Sequence, residues 1–398
     1  MAAPVKWREA NDLSTPDKLT NAAGFTRPKH PAAIMGLGRR VRHFIAFVLV
    51  TLSSYLIFFQ LLSHLTPSWP HVFALPRYKG YTSQYSFDLD KAKHPTWMAS
   101  IPDSANLSSL SIPGSHDTFT SKVPLIGYQT QNFDLQDQLR AGLRYFDVRT
   151  RLANDTLRIY HGSVDTGWTY VDVILTLFDF LDKHPTEAIV MRLKEEGVPF
   201  GHPTKTFEQA VLHHWWKDPV TAPGCQKHFY EWPLLARAGY NVTSYDDHGV
   251  VFEVLPTLGA MRGKIIILQE FDSVGGPWGV PWKSSHIELE DLWIIVDVEH
   301  LDDKWDAITA NLQKAANNTH PGALYLTHLS ASVGVLPIEA AAGPLNTTIV
   351  GMNDRTGKYL AEKSNAKALD GKTGIVMADF EGAGLVDAIL AHNEWLKK

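Results

Sequence analysis

Short apolar runs of β type alternate with helical patterns along the chain after residue 100. Most of these runs are almost continuously apolar, as strands covered on both faces are. Such alternation predicts a mostly parallel α/β sheet. The predicted strands are LRYFDVRT (143–150), AIVMRLK (188–194), KIIILQEF (264–271), LWIIVDVE (292–299), ALYLTHL (323–329) and GIVMADF (374–380). The predicted helices lie at residues 168–184, 206–217 and 304–318.

The periodicity does not choose between an open doubly wound sheet and a closed barrel. No glycine-rich nucleotide loop follows the first predicted strand to favour the open form. Polar residues gather at the carboxyl ends of the predicted strands, where a barrel would bring them to one rim. We therefore predict an irregular TIM-type (β/α) barrel over residues 101–398. The polar residues at these ends are His116, Asp117, Asp147, Arg149, Lys194, Glu270, Asp297 and Asp379.

The composition excludes general nucleic-acid binding and any site built from several cysteines. A general nucleic-acid-binding protein would show a basic face, whereas this chain has a formal net charge of −5. We therefore expect no nucleic-acid partner. The chain has one cysteine, Cys225, so neither an intrachain disulfide nor a cysteine-rich zinc site can form.

An apolar run, FIAFVLVTLSSYLIFFQLL, occupies residues 44–62 and contains no formal charge. At about 1.5 Å per residue, a helix of this length nearly matches a hydrocarbon core of about 30 Å. The run therefore predicts a transmembrane signal anchor. A cleaved signal peptide would begin much nearer Met1. The alternative is a buried soluble helix, which is disfavoured because no polar face interrupts the run.

Residues on either side of this run predict its orientation. Arg39, Arg40 and Arg42 precede it, so the positive-inside rule places the N-terminus in the cytosol. We therefore expect a single-pass type II membrane protein. Its cytosolic tail is residues 1–43, its stalk is residues 63–100, and its barrel is lumenal or extracellular. Glycosylation sequons, all of them after the run, agree with this orientation. They begin at Asn106, Asn154, Asn241, Asn317 and Asn346.

Two histidines follow β-type runs at positions suited to acid–base chemistry. SIPGSHDTFT (111–120) contains His116, and LRIYHG (157–162) contains His161, just after the triplet Asp147-Val148-Arg149. Histidines titrate near neutrality, so one can serve as base while the other serves as acid. Arg149 would offer a bidentate charge to phosphate oxygens. This predicts phosphoryl transfer to a hydroxyl group; the alternative is that each histidine is structural and bonded to a loop carbonyl.

At these motifs the chain resembles the X domain of phosphatidylinositol-specific phospholipase C, and more closely its metal-independent bacterial branch. The resemblance covers roughly residues 105 to 395. The order and spacing of the histidine and Asp-x-Arg motifs make it specific. The matching stretches are SIPGSHDTF, QDQLRAGLRYFDVRTRL, LRIYHG, HPTEAIVMRLKEE, RGKIIIL and TGIVMADF.

The resemblance implies a role for each catalytic residue. His116 would be the general base that removes a proton from a substrate hydroxyl next to the phosphodiester. His161 would be the general acid that protonates the leaving alkoxide. Arg149 would stabilise the pentacoordinate phosphorus. Asp379 would orient His116, and Asp117 would position Arg149.

The resemblance also implies a head-group pocket. Lys194 and Asp297 match positions that contact substrate in relatives. Glu270 aligns with an arginine of the bacterial enzymes that holds the inositol hydroxyls, and Glu299 aligns with a tyrosine that stacks on the ring. An acidic pocket of this kind would favour a neutral polyol or a cationic substituent over extra phosphates. The alternative is that the alignment slips by a residue or two in these strands.

Calcium-dependent relatives place two carboxylates two residues apart, where this chain has Asp147 and Arg149. The guanidinium of Arg149 replaces one ligand and much of the charge of a metal. We therefore expect no metal requirement and no cofactor.

The predicted function is cleavage of a lipid phosphodiester through intramolecular attack by a head-group hydroxyl. One alternative is a metal-dependent glycerophosphodiester or sphingolipid phosphodiesterase, and another is a non-catalytic membrane protein that binds lipid head groups. The expected partners are a phospholipid substrate and the membrane. The loop containing Trp278 and Trp282 is either an interfacial wedge or a packed rim loop.

Overall fold

The computed structural model describes residues 83–230, 244–246, 249–251, 255–275, 277–345, 348–362 and 369–397. By its residue contacts the chain divides into two units, residues 1–72 and residues 73–398. The predicted cytosolic tail and the apolar run at 44–62 lie outside the described residues. Within the described ranges, no helix is long and apolar enough to span a bilayer.

A parallel sheet forms the centre of the fold. Its strands are β1 (Ile112–Ser115), β2 (Tyr145–Ala153), β5 (Ile189–Glu195), β8 (Ile265–Glu270), β9 (Val280–Pro281), β10 (Ile287–Glu290), β12 (Leu324–His328) and β14 (Ile375–Ala378). They lie in the order β10-β12-β14-β1-β2-β5-β8-β9. Every adjoining pair in this order is parallel, so all the carboxyl ends lie at one edge of the sheet, which we call the carboxyl rim. Within the described ranges, no pairing joins β9 to β10.

Three smaller strand pairs complete the β structure. An antiparallel hairpin of β3 (Thr156–His161) and β4 (Val164–Thr169) extends the sheet from β2. A second antiparallel pair is formed by β6 (Ser244–Asp246) and β7 (Gly249–Val251). Beyond the carboxyl ends of β10 and β12, a short parallel ribbon joins β11 (Ile294–Ile295) to β13 (Ser332–Val333).

The helices are α1 (Leu135–Ala141), α2 (Tyr170–Lys183), α3 (Phe207–Trp216), α4 (Ala222–His228), α5 (Leu258–Met261), α6 (Leu301–Ala316), α7 (Pro337–Ala342), α8 (Met352–Ala361) and α9 (Ala383–Ala391). Local sequence explains where α2 and α3 begin. Thr169 forms a capping box with Asp172, and Thr206 forms one with Gln209. The three helices predicted from the sequence are confirmed as α2, α3 and α6.

Burial on both faces explains the continuous apolar runs. Ile265 and Ile267 pack into the cluster between the sheet and its helices, whereas Ile266 and Leu268 pack on the other face. Alternate side chains of a strand point to opposite faces, so both faces of β8 must be apolar. The same division occurs on β5. The sequence therefore predicted a parallel α/β sheet correctly.

The strand predicted at 292–299 is wrong. Only β11 is extended there, and a 3-10 turn, Val298–His300, follows it. The Asp297 carboxylate accepts a hydrogen bond from the His300 backbone N–H at 3.1 Å and so begins the turn. Ile294 and Val296 point their side chains into solvent, so this apolar run has no core to enter. The strand that pairs with β12 is β10, which the periodicity did not predict.

Two groups of buried residues stabilise the globular part of the chain: one near its first described residues, the other near the amino ends of the strands. Tyr85, Leu89 and Met98 are buried, so this part of the predicted stalk packs against the globular body. Near the amino end of β2, the fully buried Arg144 donates to Glu187 Oε2 from Nε at 3.0 Å and from Nη2 at 2.8 Å. This ion pair lies at the edge of the sheet opposite the carboxyl rim.

Candidate active site

His116 and Asp379 come together because their strands are parallel neighbours in register. Ser115 at the end of β1 lies beside Ala378 at the end of β14, so the next residue of each strand reaches the same point. His116 Nδ1 is 2.9 Å from Asp379 Oδ1. Gln131 Nε2 donates to the backbone carbonyls of His116 and Ala378, at 2.9 and 3.0 Å, and holds the two strand ends together.

Arg149 lies on the next strand, β2, between three partners. Its Nε is 3.0 Å from Asp117 Oδ1, and its Nη2 is 2.9 Å from Asp147 Oδ2. The same Nη2 is 2.8 Å from His116 Nε2. Because arginine only donates, His116 Nε2 is the acceptor and its Nδ1–H donates to Asp379. His116 therefore presents an unprotonated Nε2 at the carboxyl rim.

His161 approaches from the side, on the β3–β4 hairpin. Its Nδ1–H donates to the Tyr128 carbonyl at 2.8 Å, which leaves Nε2 facing the site. This Nε2 is 3.3 Å from Asp117 Oδ2, and the same oxygen is 3.2 Å from His116 Nε2. Asp117 therefore lies between the two histidines while its other oxygen binds Arg149.

Burial and neighbouring charges shift several pKa values in this cluster. Burial, and then the charge of Arg149, holds the pKa of His116 well below its usual value near 6.5. Burial raises the pKa of Asp117, and burial together with the charge of Asp117 raises the pKa of Asp379 well above its usual range. Burial alone would raise the pKa of Asp147, but Arg149 and Arg192 outweigh it and hold that pKa well below its usual range. His116 is accordingly neutral at physiological pH.

A cavity of 340 Å³ opens above this cluster. Two histidines, two arginines and several hydroxyl or aromatic side chains meet in it. Its side-chain and backbone lining consists of His116, Asp117, Gly127, Tyr128, Thr130, Arg149, His161, Gly162, Arg192, Lys194, Glu196, Asp291, Trp293, Ser330, Ala331, Ser332, Pro337 and Asp379. All five residues predicted to be catalytic therefore line one cavity; their roles stay predictions.

The four predicted head-group residues are not brought together. Lys194 lines the cavity, with Nζ 2.8 Å from Glu196 Oε2. Glu270 is outside the lining, and its Oε2 accepts from Arg192 Nε at 2.7 Å, so its charge is neutralised. The placements of Asp297 and Glu299 in the pocket are wrong, since Asp297 caps a surface turn and Glu299 is exposed. The reason is that the chain leaves the rim at β11, before it reaches them.

Sequence reasoning missed several lining residues. Arg192 is two positions before Lys194 on β5, and this period of two could have placed both side chains on the same face. Asp291 and Trp293 directly follow β10, whose sequence IELE alternates apolar and acidic residues. That alternation could have predicted β10, and with it the cavity residues that follow this strand. Ser330 follows β12 and had no signal in the sequence.

A metal ion does not fit this donor set. His116, Asp117 and Asp147 offer three ligand atoms within 4.8 Å of one another. However, Asp147 Oδ2 lies 2.9 Å from Arg149 Nη2, and its Oδ1 lies 3.3 Å from Arg192 Nη1. A divalent cation there would stand against two guanidinium groups in a buried setting, where repulsion between like charges is strong. The expected metal independence stays a prediction.

The tryptophans of the 272–283 loop are packed. Trp282 is buried, and the Arg192 guanidinium lies 4.0 Å from its ring centroid. Trp278 is half-buried and donates from Nε1 to Glu208 Oε1 at 2.6 Å. Of the two alternatives for this loop, these contacts favour the packed rim loop, and the interfacial wedge stays a prediction.

The fold and the site define a class of protein: a parallel α/β protein with a histidine pair and a buried arginine suited to phosphoryl transfer. Comparison with known proteins agrees with this class. The PI-PLC X family model matches residues 104–244. The 1-phosphatidylinositol phosphodiesterase of Listeria monocytogenes is 28% identical over 316 residues, which is 75% of this chain and 85% of that protein. Human PI-PLC X domain-containing protein 2 is 32% identical over 128 residues, 24% of this chain and 41% of its own.

Solved structures of the same type are similar in fold. The phosphatidylinositol-specific phospholipase C from Listeria monocytogenes has a TM-score of 0.53 and 25% identity, and the match covers 76% of this chain and all of that one. A Staphylococcus aureus phosphatidylinositol-specific phospholipase C, at 23% identity and a TM-score of 0.56, shows the fold alone. The chain is thus similar to the PI-PLC X family over residues 104–244 and to bacterial 1-phosphatidylinositol phosphodiesterases over about three quarters of its length.

Proposed function

We propose that the protein is a phospholipase C-type phosphodiesterase that cleaves phosphatidylinositol or a related polyol phospholipid. The observation that carries this proposal is the placement of both histidine Nε2 atoms beside one carboxylate oxygen, 3.2 and 3.3 Å away, with Arg149 on the other oxygen. The similarity to 1-phosphatidylinositol phosphodiesterases supports it. An acid, a base and a phosphate-binding cation within one cavity are the groups that this reaction requires.

The first step forms a cyclic phosphate. His116 Nε2 accepts the proton of the head-group hydroxyl next to the phosphodiester, and the hydroxyl oxygen attacks phosphorus. The bond from phosphorus to the lipid oxygen breaks, and that oxygen takes a proton from His161 Nε2. The phosphate oxygens are better acceptors for Arg149 than an imidazole nitrogen, so substrate binding frees His116 Nε2 from its contact with the guanidinium.

Neighbouring acceptors orient each histidine ring and stabilise its protonated form. Asp379 accepts from Nδ1–H of His116 and stabilises the imidazolium that forms on proton uptake. The Tyr128 carbonyl accepts from Nδ1–H of His161, and the Asp117 carboxylate, 3.3 Å from Nε2, would stabilise positive charge on that ring. Water can then attack the cyclic phosphate with His161 as base and His116 as acid.

The head group accepted by the cavity follows from its charges. Arg149 binds the scissile phosphate in this proposal. Lys194 is paired with Glu196, and Arg192 is paired with Glu270. Asp291 adds a negative charge to the lining. Among the described lining residues, no cation is left without a carboxylate partner, so extra ring phosphates would meet carboxylates. We propose that the unphosphorylated inositol lipid is the better substrate.

The test is turnover by the purified full chain in mixed micelles. Phosphatidylinositol, its bisphosphorylated form, a sphingomyelin and a glycerophosphodiester are assayed separately, and products are separated by phosphorus NMR. The proposal expects a cyclic phosphate from phosphatidylinositol at the highest rate. Cleavage only of the other lipids would support a different phosphodiesterase, and binding without cleavage would support a non-catalytic role.

We also infer the finer architecture and the location. The eight-strand parallel order supports an irregular TIM-type barrel. The apolar run at 44–62, preceded by Arg39, Arg40 and Arg42, supports a single-pass type II anchor with the catalytic body lumenal or extracellular.

A further inference from the structure

We propose that His328, a buried third histidine beside the site, is a positioning residue for the general base: its ring packs against His116 and keeps that ring aligned while substrate is bound. This inference rests on the proposed function, because it assumes that His116 takes a proton from the substrate. Three features carry it: the perpendicular contact between the two rings, the anchoring of His328 from β10, and the loss of one His116 partner when a phosphate binds.

His328 reaches His116 because both side chains project from the same face of the sheet. Leu326 of β12 and Ile112 of β1 pack into the same buried cluster. Side chains alternate along a strand, so His328 and His116, which lie an even number of positions further on, keep to that face. The two ring centroids are 5.7 Å apart, and the ring planes make an angle of 86°. A perpendicular contact at this separation is a favoured arrangement of aromatic rings.

The ring of His328 is anchored from the neighbouring strand β10. The side chain is 1% exposed, and its Nδ1–H donates to the Glu290 carbonyl at 3.0 Å. The Glu290 side chain in turn forms a buried ion pair with Lys304, 2.9 Å between Oε1 and Nζ. His328 Nε2 has no hydrogen-bond partner within the described part of the chain. One nitrogen therefore holds the ring in place, and its contact with the active site is the aromatic one to His116.

The surroundings keep this ring neutral. Burial lowers the pKa of His328 to about 4. The charges of Arg192 and Lys304 add to this effect, whereas the carboxylate of Asp291 opposes it. A charged ring at this place would repel the imidazolium that forms on His116, since like charges interact strongly where water is excluded. A neutral ring restrains His116 without that cost.

Substrate binding removes one of the contacts that hold His116. In the structure, its Nδ1 is 2.9 Å from Asp379 Oδ1, and its Nε2 is 2.8 Å from Arg149 Nη2. In the proposed reaction the phosphate draws Arg149 away, so of these two bonds only the one at Nδ1 remains. Rotation about that bond would turn Nε2 away from the substrate hydroxyl. A perpendicular ring packed against His116 opposes this rotation.

Three substitutions at this position separate the ring from its hydrogen bond. His328→Phe keeps an aromatic ring, His328→Leu fills similar space without one, and both lose the bond to Glu290. His328→Asn keeps an amide donor for that carbonyl but has no ring. We expect His328→Phe to keep kcat near the wild-type value for phosphatidylinositol in mixed micelles. His328→Leu and His328→Asn should each lose about 10- to 100-fold in kcat with KM unchanged, because a misplacement of about 1 Å can have an effect of this size.

His228 provides a matched control away from the site. It is also buried, its Nδ1–H donates to the Gly263 carbonyl at 2.8 Å, and its ring stacks on Phe178 with centroids 5.3 Å apart. His228→Leu should lower stability as His328→Leu does, yet leave kcat per folded molecule unchanged. Urea denaturation gives the folded fraction of each variant. Equal losses of kcat in His328→Phe and His328→Leu would overturn the proposal, as would a loss that only follows the folded fraction.

A spectroscopic readout decides the proposal without turnover. We expect the Nδ1–H proton of His116, bonded to Asp379, to give a downfield proton NMR signal that is absent in His116→Ala. The signal should persist in His328→Phe and broaden through exchange with water in His328→Leu and His328→Asn. An unchanged signal in all three variants would refute the positioning role. If the wild-type chain cleaves no phosphodiester, the proposed function fails, while this signal still decides whether His328 positions His116.

Discussion

The rings of His116 and His161 stand 6.5 Å apart between centroids and at 77° to one another, with the Asp117 carboxylate touching both. His116 directly follows β1, and His161 lies at the end of β3, in the hairpin that extends from the neighbouring strand β2. Both rings line the same cavity as Arg149, so each can reach a group bound beside that guanidinium.

Removal of either histidine should therefore suppress turnover while leaving the fold intact. His116→Ala and His161→Ala should each lower kcat by about 10²- to 10⁴-fold, the usual contribution of a general acid or base. His320→Ala, at an exposed histidine 64% accessible, is the matched control and should have no effect. Circular dichroism checks folding. Near-normal rates for either variant would refute the assignment of that residue.

The acidic limb of the pH–rate profile should lie below the usual histidine pKa. His116 must be neutral to act as base, so kcat/KM falls as pH drops through its pKa. Burial and Arg149 hold that pKa well below 6.5, and activity should therefore persist under mildly acidic conditions. In Arg149→Gln, NMR of the His116 ring should show a raised pKa because a neighbouring positive charge is gone. An unchanged ring pKa would count against the role of this contact.

Activity should not depend on a divalent metal. Both oxygens of Asp147 face guanidinium groups, of Arg149 and Arg192, so their charge takes the place of a cation. Turnover in the presence of a strong chelator should match turnover in its absence, and added calcium should give no gain. A calcium-dependent phospholipase C assayed in parallel confirms that the chelator works. Strong inhibition reversed by calcium would contradict this expectation.

Glycosylation of the full chain in a secretory host should follow both topology and side-chain access. Asn154 and Asn317 are exposed and should carry glycans. Asn106 should remain unmodified, because its Nδ2 donates to the Leu255 carbonyl at 2.7 Å and its Oδ1 accepts from Ser108. Mass spectrometry of peptides reads each position. An engineered sequon within residues 1–40 should stay bare, and its modification would show the opposite orientation.

The buried Arg144–Glu187 pair should contribute strongly to the stability of the globular body. Both side chains have no exposed area, so Glu187→Ala leaves a buried charge without its partner and should destabilise by about 3–5 kcal/mol. The matched control is Asp179→Asn, which breaks an exposed pair with Lys183 and should change the free energy of unfolding by at most about 1 kcal/mol. Urea denaturation measures both. Similar small effects would mean that the buried charge is relieved by relaxation.

The sequence determined the elements whose signals are local. Apolar runs buried on both faces predicted β2, β5, β8, β12 and β14, and helical patterns predicted α2, α3 and α6. The site motifs were also readable, because His116 follows a β-type run and Asp379 lies near the end of the predicted strand at 374–380. A parallel pairing in register is enough to bring such residues together.

Only the tertiary structure decided which residues border the cavity away from the catalytic cluster. The sequence predicted, through its family resemblance, that Asp297 and Glu299 would line the cavity. However, the chain leaves the carboxyl rim at β11, and Asp291 and Trp293 line that side of the cavity instead. Glu270 kept its position near the site but lost its free charge to Arg192. Such outcomes depend on strand register and on ion pairs between residues far apart in sequence, such as Arg192 and Glu270, and neither leaves a periodic trace in the chain.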